Sequence, residues 1–181
     1  MKKDKMSHLR KLIFSSLFTV LIIVGSYISI PFPFTPIPFT LQVLFILLSG
    51  IILGPYYGFM SSLLYLILGI IGLPVFSGGQ GGLVAIVGPT GGYLVGFLVA
   101  PIIIGYFSKK SRKLMPVGII LGILIIHLLG VLWLARVNML SISKAFIIGS
   151  LPFIPFDLVK GAIAYTLSLY LVKHIRVKFL T

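Results

Sequence analysis

Apolar residues run along this chain in long blocks that contain almost no charge, and clusters of proline or glycine separate the blocks. A helix needs roughly 20 residues to cross a hydrocarbon core about 30 Å thick. The blocks predict an all-α integral membrane protein with six spanning helices and one short extra helix. The predicted spans 1 to 6 cover residues 12–30, 41–53, 56–73, 91–107, 116–135 and 155–172, and the short helix covers residues 144–150.

The breaks between the spans have local causes. The segment PFPFTPIPF, residues 31–39, places four prolines where no helix interior tolerates them, and Gly54-Pro55 divides predicted spans 2 and 3. Residues 72–92 contain eight glycines and two prolines. Because this stretch is also apolar, we expect an irregular glycine-rich outer loop between spans 3 and 4 that dips back into the protein.

Composition excludes a soluble protein and disfavours an enzyme. The 181 residues are 59% apolar and only 9% charged, with a mean hydropathy of +1.20. The chain has no cysteine, two acids and three histidines, which leaves few groups for hydrolytic, redox or metal chemistry. We therefore expect neither catalysis nor a metal or cofactor site, and we expect residues 1–181 to form a single transmembrane domain.

The positive charges predict the orientation, because cytoplasmic loops of membrane proteins retain an excess of Lys and Arg. Six spans put twelve of the fifteen cations on one side, with both termini in the cytoplasm and residues 1–11 as a basic cytoplasmic tail. Topology and attraction to anionic membrane lipid explain the net charge of +13, so no nucleic-acid partner is required. The clusters are Lys2, Lys3, Lys5, Arg10 and Lys11; Lys109, Lys110, Arg112 and Lys113; and Lys173, Arg176 and Lys178.

An acid and a base in the last predicted span are the main functional candidates. Asp157 and Lys160 are three residues apart, so they lie on one face of a helix, near its outer end. Ionisable residues within a span are costly and usually mark a site with a partner. The alternative is a purely structural ion pair, which seldom recovers its desolvation energy.

The predicted topology brings further polar groups from separate segments to the same outer level. Gln42 begins span 2, Tyr93 begins span 4, and Trp133 and Asn138 end span 5, while Gln80 lies in the glycine-rich loop. Singly, Trp133 and Tyr93 also suit an interfacial belt, Gln42 a helix end and Asn138 a turn. Together with the buried acid and base they predict a small-molecule pocket facing outward.

Two other features have plainer interpretations. The glycine-rich loop lacks a phosphate-binding motif, and its glycines, including Gly79 and Gly82, suit close backbone approach and loop amides that meet a carboxylate. His127 lies alone in the middle of span 5, where a partnered structural histidine is favoured over a proton relay.

Several motifs together resemble the BioY family, the biotin-binding S-components of energy-coupling factor transporters. They are PFTLQ at residues 38–42, GLPVF at residues 72–76 with the glycines that follow, GPTGGY at residues 88–93 and DLVKG at residues 157–161. The resemblance covers residues 38–164. It departs from the family in span 1, where Ser16 and Val20 replace the alanine-rich coupling surface.

The resemblance implies a biotin-uptake subunit in the cell membrane of a prokaryote, with six helices and cytoplasmic termini. Its implied partners are biotin, a transmembrane coupling protein and two cytoplasmic ATPases. Asp157 would accept hydrogen bonds from the ureido N–H groups, whereas Lys160 would meet either the ureido oxygen or the carboxylate. Gln42, Gln80 and Asn138 are candidate amide contacts, with Tyr93 and Trp133 against the ring. Another vitamin or a biotin precursor as ligand, and a structural subunit without a ligand, stay open.

Overall fold

The computed structural model describes residues 2–171, and side chains from residue 8 onward. Seven helices and one short strand pair make up this part of the chain: α1 Lys2–Tyr27, β1 Ser29–Ile30, β2 Phe39–Thr40, α2 Gln42–Ile70, α3 Leu83–Val87, α4 Gly91–Lys110, α5 Met115–Val137, α6 Ile142–Gly149 and α7 Ile154–Leu171. Short 3-10 turns occur at Ser77–Gly79 and Arg112–Leu114. The third cationic cluster, Lys173, Arg176 and Lys178, and the last residue of predicted span 6 lie outside the described residues.

Helix α2 reverses direction at Gly54. This glycine has a φ of 82°, which breaks the helix directly before Pro55. A Cβ added to Gly58 would lie 3.2 Å from Gly50 Cα, and the Gln42 and Tyr65 side chains are hydrogen bonded. Such contacts are impossible in a straight helix at about 1.5 Å per residue. Residues 42–53, the first arm, and residues 55–70, the second arm, therefore run antiparallel.

Helix α1 packs on the second arm and the loop after it through small polar side chains. The Ser15 hydroxyl donates to the Tyr57 carbonyl at 3.0 Å, and Thr19 donates to the Ser61 carbonyl at 2.9 Å. Ser26 donates to the Val75 carbonyl at 2.7 Å. Small residues let the two backbones approach closely enough for these bonds. The small residues of α1 that point inward are thus used within the chain, while Ser16 and Val20 are exposed.

Glycines let α4 pack closely against the α2 reversal and against α5. A Cβ added to Gly105 would lie 2.8 Å from Pro55 Cα, and one added to Gly96 would lie 2.8 Å from Ile126 Cα. Gly50 of the first arm likewise approaches the backbone of Pro101. The core of the bundle forms between these elements, around Ile46, Leu47, Ile51, Ile104 and Leu134.

The two ends of the bundle differ in chemistry. The basic end carries the start of α1, the α2 reversal and the end of α4. His8 and Lys11 lie over the ring of Tyr57, and the Lys109 side chain lies against Gly54. At the opposite end, the cavity end, β1 pairs with β2 across the proline-rich linker, and the glycine-rich loop folds back through a 2.7 Å bond from Gly82 N to Gly69 O.

The predicted helical membrane architecture agrees with the structure at this coarse level. Within residues 2–171, four helices are long and apolar enough to cross a membrane, or five if α6 and α7, bent by 54°, form one span. Predicted span 1, residues 12–30, differs from the structure at both ends. Helix α1 begins earlier, at Lys2, and it ends at Tyr27, before the strand Ser29–Ile30. The short helix predicted at residues 144–150 is found as α6, and the loop at residues 72–90 also contains α3.

Replacement of Gly105 by Ala should loosen the contact between α4 and the α2 reversal. The new methyl group meets the Pro55 backbone, which cannot move like a flexible side chain. Overpacking of this kind destabilises by about 1–3 kcal/mol. Thermal unfolding in detergent checks this, with Val95→Ala on the exposed face of α4 as the control. Equal unfolding midpoints for both variants would contradict the close approach.

Candidate ligand-binding site

A cavity of about 440 Å³ opens at the cavity end of the bundle. Its walls come from the strand pair with its proline-rich linker, the first arm of α2, the glycine-rich loop, and residues of α1, α4, α5, α6 and α7. Most of the lining is apolar or aromatic, with a few polar groups among it. This combination is the usual form of a small-molecule site.

The ion pair between Asp157 and Lys160 forms one wall of the cavity. Lys160 Nζ lies 2.7 Å from Asp157 Oδ1, and the two residues are only 5% and 4% exposed. They are adjacent on α7 because a spacing of three places side chains on one helix face. Asp157 lies in the first turn of α7, where the helix dipole favours a carboxylate. The predicted pairing and placement are therefore found.

His127 contributes a third member to this charged group. Its Nε2 lies 3.1 Å from Asp157 Oδ2, and its Nδ1 lies 2.8 Å from the Ser150 hydroxyl. Beside a carboxylate the Nε2 nitrogen acts as the donor, whereas the contact between Nδ1 and the Ser150 hydroxyl can run in either direction. The predicted role of His127 as a partnered histidine agrees with this geometry.

The aromatic ring of Phe39 covers the ammonium group of Lys160. The distance from Nζ to the ring centroid is 4.1 Å, within the range of a cation–π contact. Phe39 belongs to β2, which also lines the cavity. Lys160 is thus held between a carboxylate and an aromatic face, so the strand pair and α7 meet at the cation.

Gln42, which also lines the cavity, belongs to a hydrogen-bonded series. Its Oε1 accepts from the Thr40 hydroxyl at 3.1 Å, and its Nε2 donates to the Tyr65 hydroxyl at 2.5 Å. Tyr65 is fully buried and packs edge-on against Phe76. The Gln42 amide therefore has a fixed orientation, with one N–H left for a further acceptor.

Tyr93 lines the cavity and contacts two other residues of its wall. Its hydroxyl donates to the Gly149 carbonyl at 2.5 Å, and its ring lies edge-on to His127 with the centroids 6.3 Å apart. Helices α4 and α5 thereby contact the bend between α6 and α7. Tyr93 is buried, unlike a residue of an interfacial belt.

The structure brings five of the nine candidate residues to the cavity and leaves four outside its lining. Asp157, Lys160, Gln42, Tyr93 and Gln80 line it. The four that do not line it are Trp133, Asn138, Gly79 and Gly82, although the neighbouring Gly78 does.

The four candidate residues outside the cavity lining make other contacts or lie in other parts of the fold. Trp133 is 37% exposed and donates from its ring nitrogen to the Gly88 carbonyl at 2.9 Å, which ties the glycine-rich loop to α5. Asn138 is the exposed C-terminal cap of α5. Gly79 and Gly82 provide positive φ values of 72° and 84° within the loop.

Sequence reasoning omitted His127 and Phe39 from the candidate lining residues. A signal for His127 was present, because a histidine in an apolar span needs a partner and Asp157 is the one acid beyond the N-terminal tail. Phe39 gave no such signal, since its place over Lys160 depends on how the strand pair folds back.

The arrangement suits a small, largely apolar ligand with polar groups at its ends. The Asp157–Lys160 pair offers both a hydrogen-bond acceptor and a hydrogen-bond donor to such a ligand. Among side chains in residues 8–171, no group of three or more His, Cys, Asp or Glu is placed to hold a metal ion. The fold and the cavity define a membrane-embedded protein that binds a small molecule.

Comparison with known proteins gives the family. The BioY family model matches residues 1–177. A probable biotin transporter BioY from Pyrococcus horikoshii is 46% identical over 84% of this chain and 90% of its own length. The biotin transporter BioY of Thermotoga maritima is 43% identical over 91% of this chain and 97% of its own length. The chain belongs to the BioY family.

A solved structure agrees with this assignment. The crystal structure of the S-component for biotin from an ECF-type ABC transporter superposes with a TM-score of 0.87. It is 31% identical in sequence, and the match covers 95% of this chain and 96% of that one.

Removal of Lys160 should destabilise the protein through the acid that it leaves behind. Lys160→Met leaves a buried carboxylate with His127 as its one remaining charged or polar side-chain donor among the described residues, and breaking a buried pair in this way costs about 3–5 kcal/mol. The double variant Asp157→Asn/Lys160→Met should lose less stability than the sum of the single variants. Unfolding midpoints in detergent measure this.

The exposed Lys144 provides the matched control. Lys144→Met should change the free energy of unfolding by no more than about 0.5 kcal/mol. Additive losses in the Asp157 and Lys160 variants would show that the two side chains are not energetically coupled.

Proposed function

We propose that this chain is the substrate-binding membrane subunit of a biotin uptake system, which captures biotin from the extracellular side and delivers it with an energising module. The observation that carries the proposal is the buried Asp157–Lys160 pair in the wall of the cavity. Relatives with 43% and 46% identity are named biotin transporters, which supports the same ligand here. The role is binding and transport rather than catalysis.

The cavity chemistry corresponds to the parts of biotin. The ureido ring is neutral and carries two N–H donors and one carbonyl acceptor. Asp157 is the acceptor for a ureido N–H, and Lys160 donates to the ureido oxygen or to the carboxylate. The apolar walls suit the thioether ring and the aliphatic chain. The carboxylate is expected near the loop, where Gln80, Ser77 and Gly78 line the cavity.

We further propose six membrane crossings in a single domain, with both termini in the cytoplasm. The reversal at Gly54 supports counting the two arms of α2 separately, and the bent pair α6 and α7 supports one further crossing. The basic end then faces the cytoplasm of a prokaryotic cell and contacts anionic lipid, while the cavity opens to the exterior.

A transmembrane coupling protein and two cytoplasmic ATPases are the proposed partners. The family match to the component of an ECF-type transporter supports such an assembly. The face of α1 that carries Ser16 and Val20 is exposed along the bundle together with Ile13, Leu17 and Val24, and it offers an apolar surface for a partner helix.

Titration calorimetry of the detergent-purified protein with biotin tests the ligand. We expect tight binding without nucleotide. Asp157→Asn and Lys160→Met should each raise the Kd by about 10- to 100-fold, because each removes a charged hydrogen-bonding partner. Lys144→Met is the matched control and should leave the Kd unchanged. Normal biotin binding in both cavity variants would remove these residues from the site.

Competition distinguishes the proposal from its alternatives. Unlabelled thiamine, riboflavin and desthiobiotin are added to the protein loaded with labelled biotin. Displacement by desthiobiotin alone indicates a site for the ureido ring, whereas stronger displacement by another vitamin indicates a different ligand. A structural subunit would bind none of them, and biotin would leave the coupling between Asp157 and Lys160 unaltered.

The orientation can be tested with single cysteines, because the chain has none of its own. We expect a membrane-impermeant maleimide to label Ser143→Cys in intact cells, since Ser143 is exposed at the cavity end. His8→Cys, exposed at the basic end, should be labelled only after the cells are opened. Labelling in the reverse pattern would overturn the proposed orientation.

A further inference from the structure

The Asp157 carboxylate is held through both of its oxygens by two different helices. Oδ1 accepts from Lys160 at 2.7 Å, and Oδ2 accepts from His127 Nε2 at 3.1 Å. Lys160 belongs to the same helix as Asp157 and moves with it. His127 belongs to α5, so its contact fixes the carboxylate relative to the rest of the bundle.

The imidazole ring of His127 is itself held on its other side. Ser150 bonds to Nδ1 at 2.8 Å, and both residues are buried, with exposures of 0% for Ser150 and 6% for His127. Ser150 lies in the bend between α6 and α7, where Tyr93 also bonds to Gly149. The imidazole ring of His127 therefore connects this bend to the Asp157 carboxylate, which lies in the first turn of α7.

This geometry determines which lone pairs of the carboxylate stay available. Each carboxylate oxygen accepts about two hydrogen bonds. With one donor on each oxygen already supplied by the protein, about one acceptor position per oxygen is left, in the plane of the carboxylate. Asp157, Lys160 and His127 all line the cavity, so the remaining positions are accessible to a ligand there.

We infer that His127 is a positioning residue for ligand recognition, which orients the Asp157 carboxylate toward an N–H donor of a bound cyclic urea. The inference rests on the proposed function for the identity of the ligand. His127 affects the bound ligand through Asp157, and the Ser150 hydroxyl affects it through His127.

A double-mutant cycle tests the inference by titration calorimetry with biotin. His127→Leu should raise the Kd by about 10- to 100-fold in the wild-type chain, because the charged hydrogen bond is lost. In the Asp157→Ala background the same substitution should change the Kd by less than about threefold, since no acceptor is left at position 157 for His127 to hold. His127→Gln keeps an N–H donor and should recover part of the affinity. Ser150→Ala should have a smaller effect in the same direction.

Two controls distinguish positioning from general damage to the fold. Ile104→Ala creates a cavity in the fully buried core of α4, away from the site, and should lower the unfolding midpoint without changing the Kd. Ser49→Ala is the matched control for Ser150→Ala, because it removes a buried hydroxyl that bonds only within its own helix.

The possible outcomes separate the two proposals. A wild-type chain that does not bind biotin overturns the proposed function and this inference together. Wild-type binding with an unchanged Kd in His127→Leu overturns the inference alone. Equal losses from His127→Leu in the wild-type and Asp157→Ala backgrounds also overturn it, because a positioning residue cannot act after its target is gone.

Discussion

The carboxylate of Asp157 is the constraint on which the organisation of the cavity end depends. A charge removed from water inside a membrane protein needs donors at short range, and here they come from α7 and α5. Those donors are themselves fixed, Lys160 by the ring of Phe39 and His127 by Ser150. One buried acid thus determines how the strand pair, α5 and the α6–α7 bend meet.

The bundle positions this group through close helix packing rather than through long polar side chains. Gly50, Gly96 and Gly105 let backbones touch, so the first arm, α4 and α5 form a compact support behind the cavity. Lipid supplies no hydrophobic force between helices, and such small-residue contacts therefore carry much of the association. The loops at the cavity end are in turn tied down by the bonds of Ser26, Tyr27 and Trp133 to carbonyl groups.

Much of this architecture could be predicted from hydropathy, proline and glycine positions, and charge. The separation at Gly54-Pro55 and the pairing of Asp157 with Lys160 follow from local rules, namely the backbone requirement of proline and the helical spacing of three. The contacts of Trp133 and Phe39 could not be predicted in the same way. These contacts depend on how irregular segments fold back over the helices, and the periodicity of the sequence does not indicate that path.

The reversal in α2 also bears on the lipid around the protein. The second arm, residues 55–70, is about 24 Å long, against a hydrocarbon thickness of about 30 Å. Its outward side chains include Tyr56, Leu64 and Ile67, so this short surface is exposed along the bundle. Hydrophobic mismatch of this size compresses the neighbouring acyl chains or draws interfacial side chains toward the headgroups. In the proposed six-crossing arrangement, this flank therefore matches a thin bilayer better than a thick one.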